Sequence, residues 1–544
     1  MAGRPGATID FRAFEQPLSP LFRDYLSGEG RAAQFFGGDG RFDLAAVEAA
    51  ADPAARQPRP REAVAEALVR QQKERGAERA AQNAGRLREP ESTAIVTGQQ
   101  AGLCGGPLFV LWKALGAILV ARALEGRRGR PVVPVFWVAS DDHDFAEIRS
   151  ATLIDDTGNV HTLRYSPIRE PTGQPASRIV LDSTVTALVE EARTVSRAGL
   201  HKDEVIGLLA SCYRPGETLG GAFARFLSSL FPDLVLLDPS DPALKALMVP
   251  LLAREIREGS PTTRLAAEAG EALLAAGYHQ QVPVRPNFLN LFVLAGGERR
   301  ALGLQNGNVE VRGLGHVMSA SEAVRDLEAN PADWSPGALL RPVVQDALLP
   351  TAAYVGGPAE IAYHAQIGAC YSHFGVARPV ILPRPSATLV EPAQARALEA
   401  EGLQLAELQA DPEALVARWA REAYPEVEAA FARARASVER ELRAVEEALG
   451  ALDPTLRGAA DAARGRVLHP IDALHEKSLR ALKKRDQARA ERLRRTRDAL
   501  FPGGAFQERG LSLFGVLARH GSPLLADLEA RLDPWARGHQ AIYL

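Results

Sequence analysis

Two apolar runs, separated by a glycine-rich loop and one helix-length segment, constrain this chain more than any other feature. Ala94-Ile95-Val96 closes on Thr97-Gly98 and reads as a buried strand. A loop carrying Gly98, Gly102, Gly105 and Gly106 follows. Pro107 suits the first turn of a helix, where its missing N–H would be unpaired anyway. Leu108, Leu111, Trp112, Leu115 and Leu119 recur at helical spacing and define one apolar face. Gly126 to Gly129 ends the helix, and Val132 to Ala139 is a second, nearly continuous apolar run, expected to be covered on both faces. The product is a right-handed β–α–β unit. Its polar cluster, Ser140-Asp141-Asp142-His143-Asp144, falls at the carboxyl end of the second strand, the edge where open α/β sheets bind ligands.

Two phosphate-binding motifs are excluded here. No Gly-Lys-Ser/Thr follows the loop, and no Gly-x-Gly-x-x-Gly occurs in it. What remains is a glycine-rich turn into a helix start. Either its free N–H groups hold an anion or it is a tight turn with no ligand. Lys113 lies on the side of the helix away from the apolar face. Its stem either leans back toward the loop or carries a solvated surface charge.

With 544 residues the chain exceeds one core, so two or three domains are expected. A formal net charge of -3 gives no reason to expect nucleic acid, and no apolar run is long enough to span a bilayer. Cys104, Cys212 and Cys370 are far apart, which argues against a disulfide framework, for a reducing cytoplasm, and against zinc. Met1 to Pro5 lacks the start of a signal peptide.

The remaining chain divides by pattern. Residues 1–92 read as an N-terminal helical layer, with helix-friendly patches at Leu44–Ala51 and Arg61–Arg86 and a turn at Gly37–Gly40. The sheet core occupies 93–150, 231–258 and 337–392. Its later strands are expected at 234–237, 352–355 and 379–382, with Leu340–Asp346 leading in and Val380–Thr388 as the last strand. An insertion at 151–230 carries a hairpin around Asp155–Asn159 and helices at Val185–Leu209 and Glu217–Leu230. A helix is expected from Pro242 to Glu258, then a second insertion at 259–336 with a strand at Asn290–Leu294 and a turn at Ala295–Gly297. Between 393 and 501, Val427, Phe431, Ala434, Val438, Leu442, Val445, Leu449 and Leu452 keep coiled-coil-like spacing. They predict a helix at 424–451 paired antiparallel with one at 470–500, whose basic run includes Lys483, Lys484, Arg485, Arg489, Arg492, Arg494, Arg495 and Arg497. This run is a solvated face or an anion contact. Residues 502–544 read as a helical tail packing on the core.

Thr97-Gly98-Gln99-Gln100-Ala101-Gly102-Leu103, Gly105-Gly106-Pro107-Leu108 and Pro134-Val135-Phe136-Trp137 with Asp141–Phe145 resemble the bacillithiol biosynthesis cysteine-adding family, BshC. So do Leu236–Ser240, Arg341–Asp346, Tyr354–Tyr363, Leu382–Thr388 and Gln507-Glu508-Arg509, in the same order along nearly the whole chain. The resemblance implies a Rossmann-like, mainly parallel core similar to nucleotidylyltransferases and class I aminoacyl-tRNA synthetases. It also implies connecting insertions, an α-helical coiled coil, and ligation of cysteine to glucosaminyl-malate. Cys104 reads as a small buried hydrophobe, and Asp141 stands where the family pattern has Glu.

Amide formation needs an activated carboxylate, which ATP or another nucleotide supplies through an acyl-adenylate, with magnesium as its usual companion. His143 is the candidate acid–base or phosphate donor. Asp142 and Asp144 orient it, bind the amino group of cysteine or hold the magnesium. The expected binding set is Thr97, Gly98, Gln99, Gln100, Gly102, Gly105, Gly106, Lys113, Asp141, Arg341, Tyr354, Gly356, Gly357, Glu360, Arg384 and Ser386. Of these, Arg384 and Ser386 are placed by analogy with the mobile phosphate loop of the synthetases. The site is expected where the Gln99–Gly106 loop, the Asp141–Asp144 cluster and Tyr354–Glu360 meet. A homodimer through the coiled coil is expected. A nucleotide-binding scaffold, or a hydrolase with a metal on Asp142, His143 and Asp144, stays open as a different class; no second cluster of ligand spacing favours the metal.

Overall fold

The computed structural model describes residues 7–16, 18–28, 30–37, 40–155, 157–485 and 487–544. Gly38 and Asp39 of the first expected turn, and Asp156 of the hairpin loop, lie outside the described residues, as do the side chains of Lys483 and Arg485. The chain forms two compact units, one holding 16–389 with 7–12 and 506–544, the other 390–505 with 13–15.

The larger unit is built on a five-stranded parallel sheet. Its spatial order is Val380–Pro383, Thr351–Gly356, Thr93–Gln99, Val132–Val138, Val235–Leu237. All four pairings are parallel, and the five strands are those expected from the apolar runs. Thr93–Gln99, Val132–Val138 and Thr351–Gly356 are buried on both faces almost throughout, which is why they lack alternation. Trp137 and Leu237 enter one core cluster while Phe136 and Leu236 enter the other, as the pleat requires. The first three strands build outward in one direction, and the last two restart on the other side of Thr93–Gln99. That reversal opens a crevice between Thr93–Gln99 and Thr351–Gly356 at their carboxyl ends.

Several local expectations are corrected. The helix after the glycine loop runs Phe109–Arg128, so Pro107 precedes it and instead bridges Ser512. A 3-10 turn, Leu103–Gly105, intervenes. The helix has no single apolar face: positions 110 to 118 are all buried, Lys113 included. The Arg61–Arg86 patch is two helices, Arg61–Glu74 and Glu78–Arg86. Val185–Leu209 also splits, into Thr184–Val195 and Lys202–Cys212. Arg341–Leu348 is a helix leading into the fourth strand. The last core strand stops at Pro383, and Ser386–Val390 joins a separate sheet in which His539–Tyr543 lies between it and Ala7–Ile9. The tail is therefore not wholly helical.

The second insertion holds more structure than expected. The strand and turn read at 290–297 belong to the hairpin Phe288–Ala295/Glu298–Gln305. That hairpin is part of a five-stranded antiparallel sheet completed by Asn308–Val311, His316–Met318 and Trp334–Pro336.

In the smaller unit, Pro425–Leu452 and Arg457–Arg485 pair antiparallel. Glu428 meets His475 at 2.7 Å, Arg435 meets Asp472, and Glu446 meets Arg464 at 3.1 Å. The second helix begins at Arg457, not near 470, and carries Pro470 in its interior. A further helix, Gln487–Leu500, holds the rest of the basic run. There Arg489 and Arg492 bind Glu401, and Arg494 binds Glu413. Along the apolar seam Val427, Phe431, Val438, Leu442 and Leu449 are half-buried, and Val445 is 50% and Leu452 79% exposed. Among the described residues no helix is long and apolar enough to cross a membrane.

Candidate active site at the sheet crevice

A cleft of about 670 Å³ occupies the crevice. Of the expected residues it is lined by Gly98, Gln99, Gln100, Gly102, Lys113, Asp141, Asp142, His143, Arg341, Tyr354, Gly357, Glu360 and Arg384. The three expected segments do converge, because each follows a strand of the same sheet.

On one wall a buried network starts from Lys113. Its ammonium reaches back along the helix to the carbonyl of Gly98 (2.6 Å), the amide oxygen of Gln99 (2.8 Å) and the carboxylate of Glu360 (2.5 Å). It is therefore not a surface lysine. Glu360 also accepts the hydroxyl of Tyr354 (2.5 Å) and the N–H of Gly357 (2.7 Å), closing the start of the helix Pro358–Gln366. Burial works against the charge on Glu360, but Lys113 and these donors hold its carboxyl below the usual range. Burial pushes the Tyr354 phenol well above its usual value, so it stays a donor. Arg341 donates to Gln345 (2.8 Å) and Tyr363 (3.0 Å) and lies 5.9 Å from the ring centroids of both Trp137 and Tyr354.

The opposite wall is the Asp141–His143 segment. Both oxygens of Asp141 accept from Lys245, at 2.9 and 2.7 Å, and Lys245 also donates to the carbonyl of Trp334 (2.9 Å). Asp142 accepts the amide of Gln100 (2.6 Å) and the backbone N–H of His143 (2.7 Å); the same Gln100 amide reaches Glu147 (2.8 Å). His143 sits beside Phe292 and Arg299. Burial and then Arg299 hold its imidazole below the usual value, opposed by Asp142 and Asp144.

Other members of the expected set fall outside the cleft. Asp144 is exposed and caps the short helix Phe145–Ile148, accepting from the N–H of Glu147 (3.2 Å). With Asp144 spent on a cap and Asp142 on Gln100 and the His143 N–H, the donors do not fit a metal built on Asp142, His143 and Asp144. Among the described residues no group of three His, Cys, Asp or Glu side chains could hold a metal. The glycine loop turns into the core. The N–H of Gly105 donates to the Tyr213 hydroxyl (3.1 Å) and that of Gly106 to Leu103 (3.0 Å), so neither is available to an anion. Gly105 and Gly106 have φ of 83° and 74°, which explains the glycines without a ligand. Cys104 is fully buried beside them. Thr97 donates its hydroxyl to the carbonyl of Val355 (2.8 Å), tying two strands together, and Gly356 is buried beneath Tyr354 and Glu360. Ser386 is bonded to His539 (2.8 Å). Arg384 lines the cleft and pairs with buried Glu508 at 2.6 Å.

Among the residues the sequence reading did not assign to the site are Lys245, which backs Asp141 from behind the wall, and the cleft-lining Phe292, Arg299 and Arg509. Lys245 lies in the helix Pro242–Arg257, where a lone lysine looks like any surface charge. Phe292 and Arg299 come from the second insertion, which carries no motif. Arg509 was noted only within Gln507-Glu508-Arg509, and burial holds its guanidinium below the usual value.

Comparison with known proteins agrees with this architecture. Residues 8–385 match the family described as "Bacillithiol biosynthesis BshC, N-terminal Rossmann-like domain". Residues 387–544 match "Bacillithiol biosynthesis BshC, C-terminal coiled-coil domain". A protein of Salinibacter ruber is 35% identical over 528 residues, covering 96% of both chains. One of Koribacter versatilis is 34% identical over 514 residues, covering 93% of this chain and 94% of its own. One of Geobacillus thermodenitrificans is 32% identical over 470 residues, covering 85% and 86%. All three carry the name "Putative cysteine ligase BshC". With both domains matched in order across almost its full length, the chain belongs to the BshC family of bacillithiol biosynthesis proteins.

Proposed function

We propose that this chain is a carbon–nitrogen ligase that joins L-cysteine to the amine of glucosaminyl-malate, forming bacillithiol. The observation that carries this reading is the match to both BshC domains over residues 8–385 and 387–544. The reaction forms an amide C–N bond and breaks a C–O bond of the cysteine carboxylate. Hydroxide is a poor leaving group, so the carboxylate must be activated. A nucleotide of the ATP type, when bound, supplies that activation, and magnesium comes with it on the phosphate oxygens.

The cleft supports this chemistry through its own residues. Asp142 and Glu147, bridged by Gln100, form an acidic side suited to an ammonium group. Arg341, Arg384 and Arg509 line the other side and suit carboxylates or phosphates. His143, beside Asp142 and Arg299 in the same cleft, is the side chain assigned to the reacting centre in this proposal. The Lys113–Glu360–Tyr354 network keeps the floor rigid and its charges compensated. Against the metal-hydrolase alternative, Asp144 caps a helix and Asp142 already accepts from Gln100 and the His143 N–H. We also propose that a second copy covers the exposed seam residues Val445 and Leu452.

The test is direct. Purified protein is incubated with cysteine, glucosaminyl-malate and each candidate nucleotide, and the amide is sought by mass spectrometry. Amide that appears only with one nucleotide supports the ligase reading. Thermal stabilisation by the ligands with no amide under any condition would make the chain a binding scaffold.

A further inference from the structure

We propose that Arg299 fixes His143 as the neutral tautomer protonated on Nε2, so that His143 acts in the cleft as a hydrogen-bond donor and not as a base. This deepens the ligase reading and rests on it only for the identity of the acceptor.

Arg299 is itself held from several sides. Its Nε donates to the hydroxyl of Ser335 (2.9 Å) and one terminal nitrogen to the carbonyl of Pro336 (3.0 Å). Its guanidinium carbon lies 3.7 Å from the centroid of the Phe292 ring. The other terminal nitrogen lies 3.4 Å from Nδ1 of His143. Guanidinium has donors only and does not give up its proton in a protein. The contact therefore requires a lone pair on Nδ1, which leaves the proton of a neutral imidazole on Nε2.

The competing partner is Asp142, which would favour a proton on Nδ1. Its Oδ1 is 3.8 Å from Nδ1, beyond hydrogen-bond range, and already accepts the N–H groups of His143 (2.7 Å) and Asp144 (3.4 Å). Its Oδ2 is taken by Gln100 at 2.6 Å. Among the described residues nothing bonds Nε2 of His143, whose ring lines the cleft. Burial and Arg299 also disfavour the doubly protonated ring, against Asp142 and Asp144.

An Nε2–H fixed in a partly enclosed cleft stabilises an oxygen that gains negative charge. It cannot take a proton from the attacking amine, since Nδ1 is occupied and Nε2 has no lone pair. Arg299 is then a positioning residue, and the second insertion sets the chemistry of the core.

The experiment is nitrogen NMR on full-length protein labelled at its 11 histidines, with His143 assigned by difference from His143→Gln. The expected wild-type pattern is Nδ1 unprotonated and Nε2 protonated at neutral pH. Arg299→Met should let the other tautomer appear, whereas Arg299→Lys, which keeps a donor-only cation, should preserve the wild-type pattern. A protonated Nδ1 in wild type, or an unchanged tautomer in folded Arg299→Met, would overturn the proposal. If Arg299→Met does not fold, the wild-type and Arg299→Lys spectra still decide it. In the ligation assay His143→Ala should lose about 10²–10³-fold in kcat. His143→Gln, whose amide N–H falls near the position of Nε2–H, should recover about tenfold of that. Equal loss in the two variants would refute the donor role. Absence of ligation in wild type would refute the ligase reading while the tautomer result stands by itself.

Discussion

Replacing Lys245 by methionine tests the wall that carries Asp141. The lysine side chain is 1% exposed and its partner Asp141 is 20% exposed. Methionine keeps most of the buried stem, so little packing is lost. What goes is the ammonium, leaving the carboxylate of Asp141 and the carbonyl of Trp334 without their donor. Breaking a fully buried pair costs roughly 3–5 kcal/mol. The partial water access of Asp141 moves this to the low end, and the lost carbonyl bond adds roughly 1 kcal/mol. The expected destabilisation is about 4 kcal/mol. Trp112, Trp137 and Trp334 are buried in the same unit, so urea unfolding followed by tryptophan fluorescence reports it. Asp141→Asn combined with Lys245→Met should regain at least about 1 kcal/mol, because the unpaired charge is gone. The single variant should also lose kcat/KM, since Lys245 fastens Asp141 to the second insertion. A single variant within about 0.5 kcal/mol of wild type, with no coupling in the double, would refute the reasoning.

Glu255→Gln should make stability rise more steeply with pH than it does in wild type. Burial raises the Glu255 carboxyl to about 7, from 4.5, so its contribution to stability falls as pH rises between those values. Burial lowers His539 to about 4, from 6.5, so its contribution is complete above 6.5 and is lost as pH falls toward 4. The Glu255 slope opposes those of His539 and the buried His364, so removing Glu255 should steepen the rise of stability by about 1.4 kcal/mol per unit between roughly pH 5 and 6, measured by denaturant midpoints; a slope unchanged from wild type counts against it. Gly105→Ala places a Cβ 2.8 Å from the Phe226 ring at a φ of 83°. It should cost about 2–3 kcal/mol in stability while leaving KM values unchanged; a large rise in KM for an anionic substrate would return the loop to the site. Val445→Glu should convert a dimer to a monomer in light scattering, and wild type that is already monomeric would remove the dimer proposal.

The core was legible because parallel strands covered on both faces leave unbroken apolar runs, and all five such runs became neighbouring strands. His143 and Glu360 were legible as cleft residues because each follows a strand at its carboxyl edge, and Arg341 through the resemblance of Arg341–Asp346. The glycine loop was legible as a turn but not in its direction. Glycines at 105 and 106 serve a close approach to Phe226 and Phe223 as well as they would serve a phosphate. Of the two readings left open for Lys113, the stem leaning back toward the loop holds; its burial was not legible because a 3.6-residue face assumes one covered side, and this helix is covered nearly all round. The insertion sheet was missed where its strands are short and half-exposed: Glu298-Arg299-Arg300 looks like a charged loop and is a strand. Pro470 looked like a helix start, yet the helix runs through it.

The strand His539–Tyr543 has a consequence for the timing of synthesis. It lies between Ala7–Ile9 and Ser386–Val390, both of which precede it in the chain. A ribosome therefore delivers both flanking strands long before the one that separates them. Until then each presents a bare edge, the arrangement most open to pairing with another chain. Glu508, which anchors Arg384 in the cleft wall, also emerges late. The nascent protein has its parallel sheet available first, yet the wall of its cleft waits on a segment made well after that sheet. Closure over so long a sequence separation favours slow folding, and makes this small sheet the place where a chaperone has the most to shield.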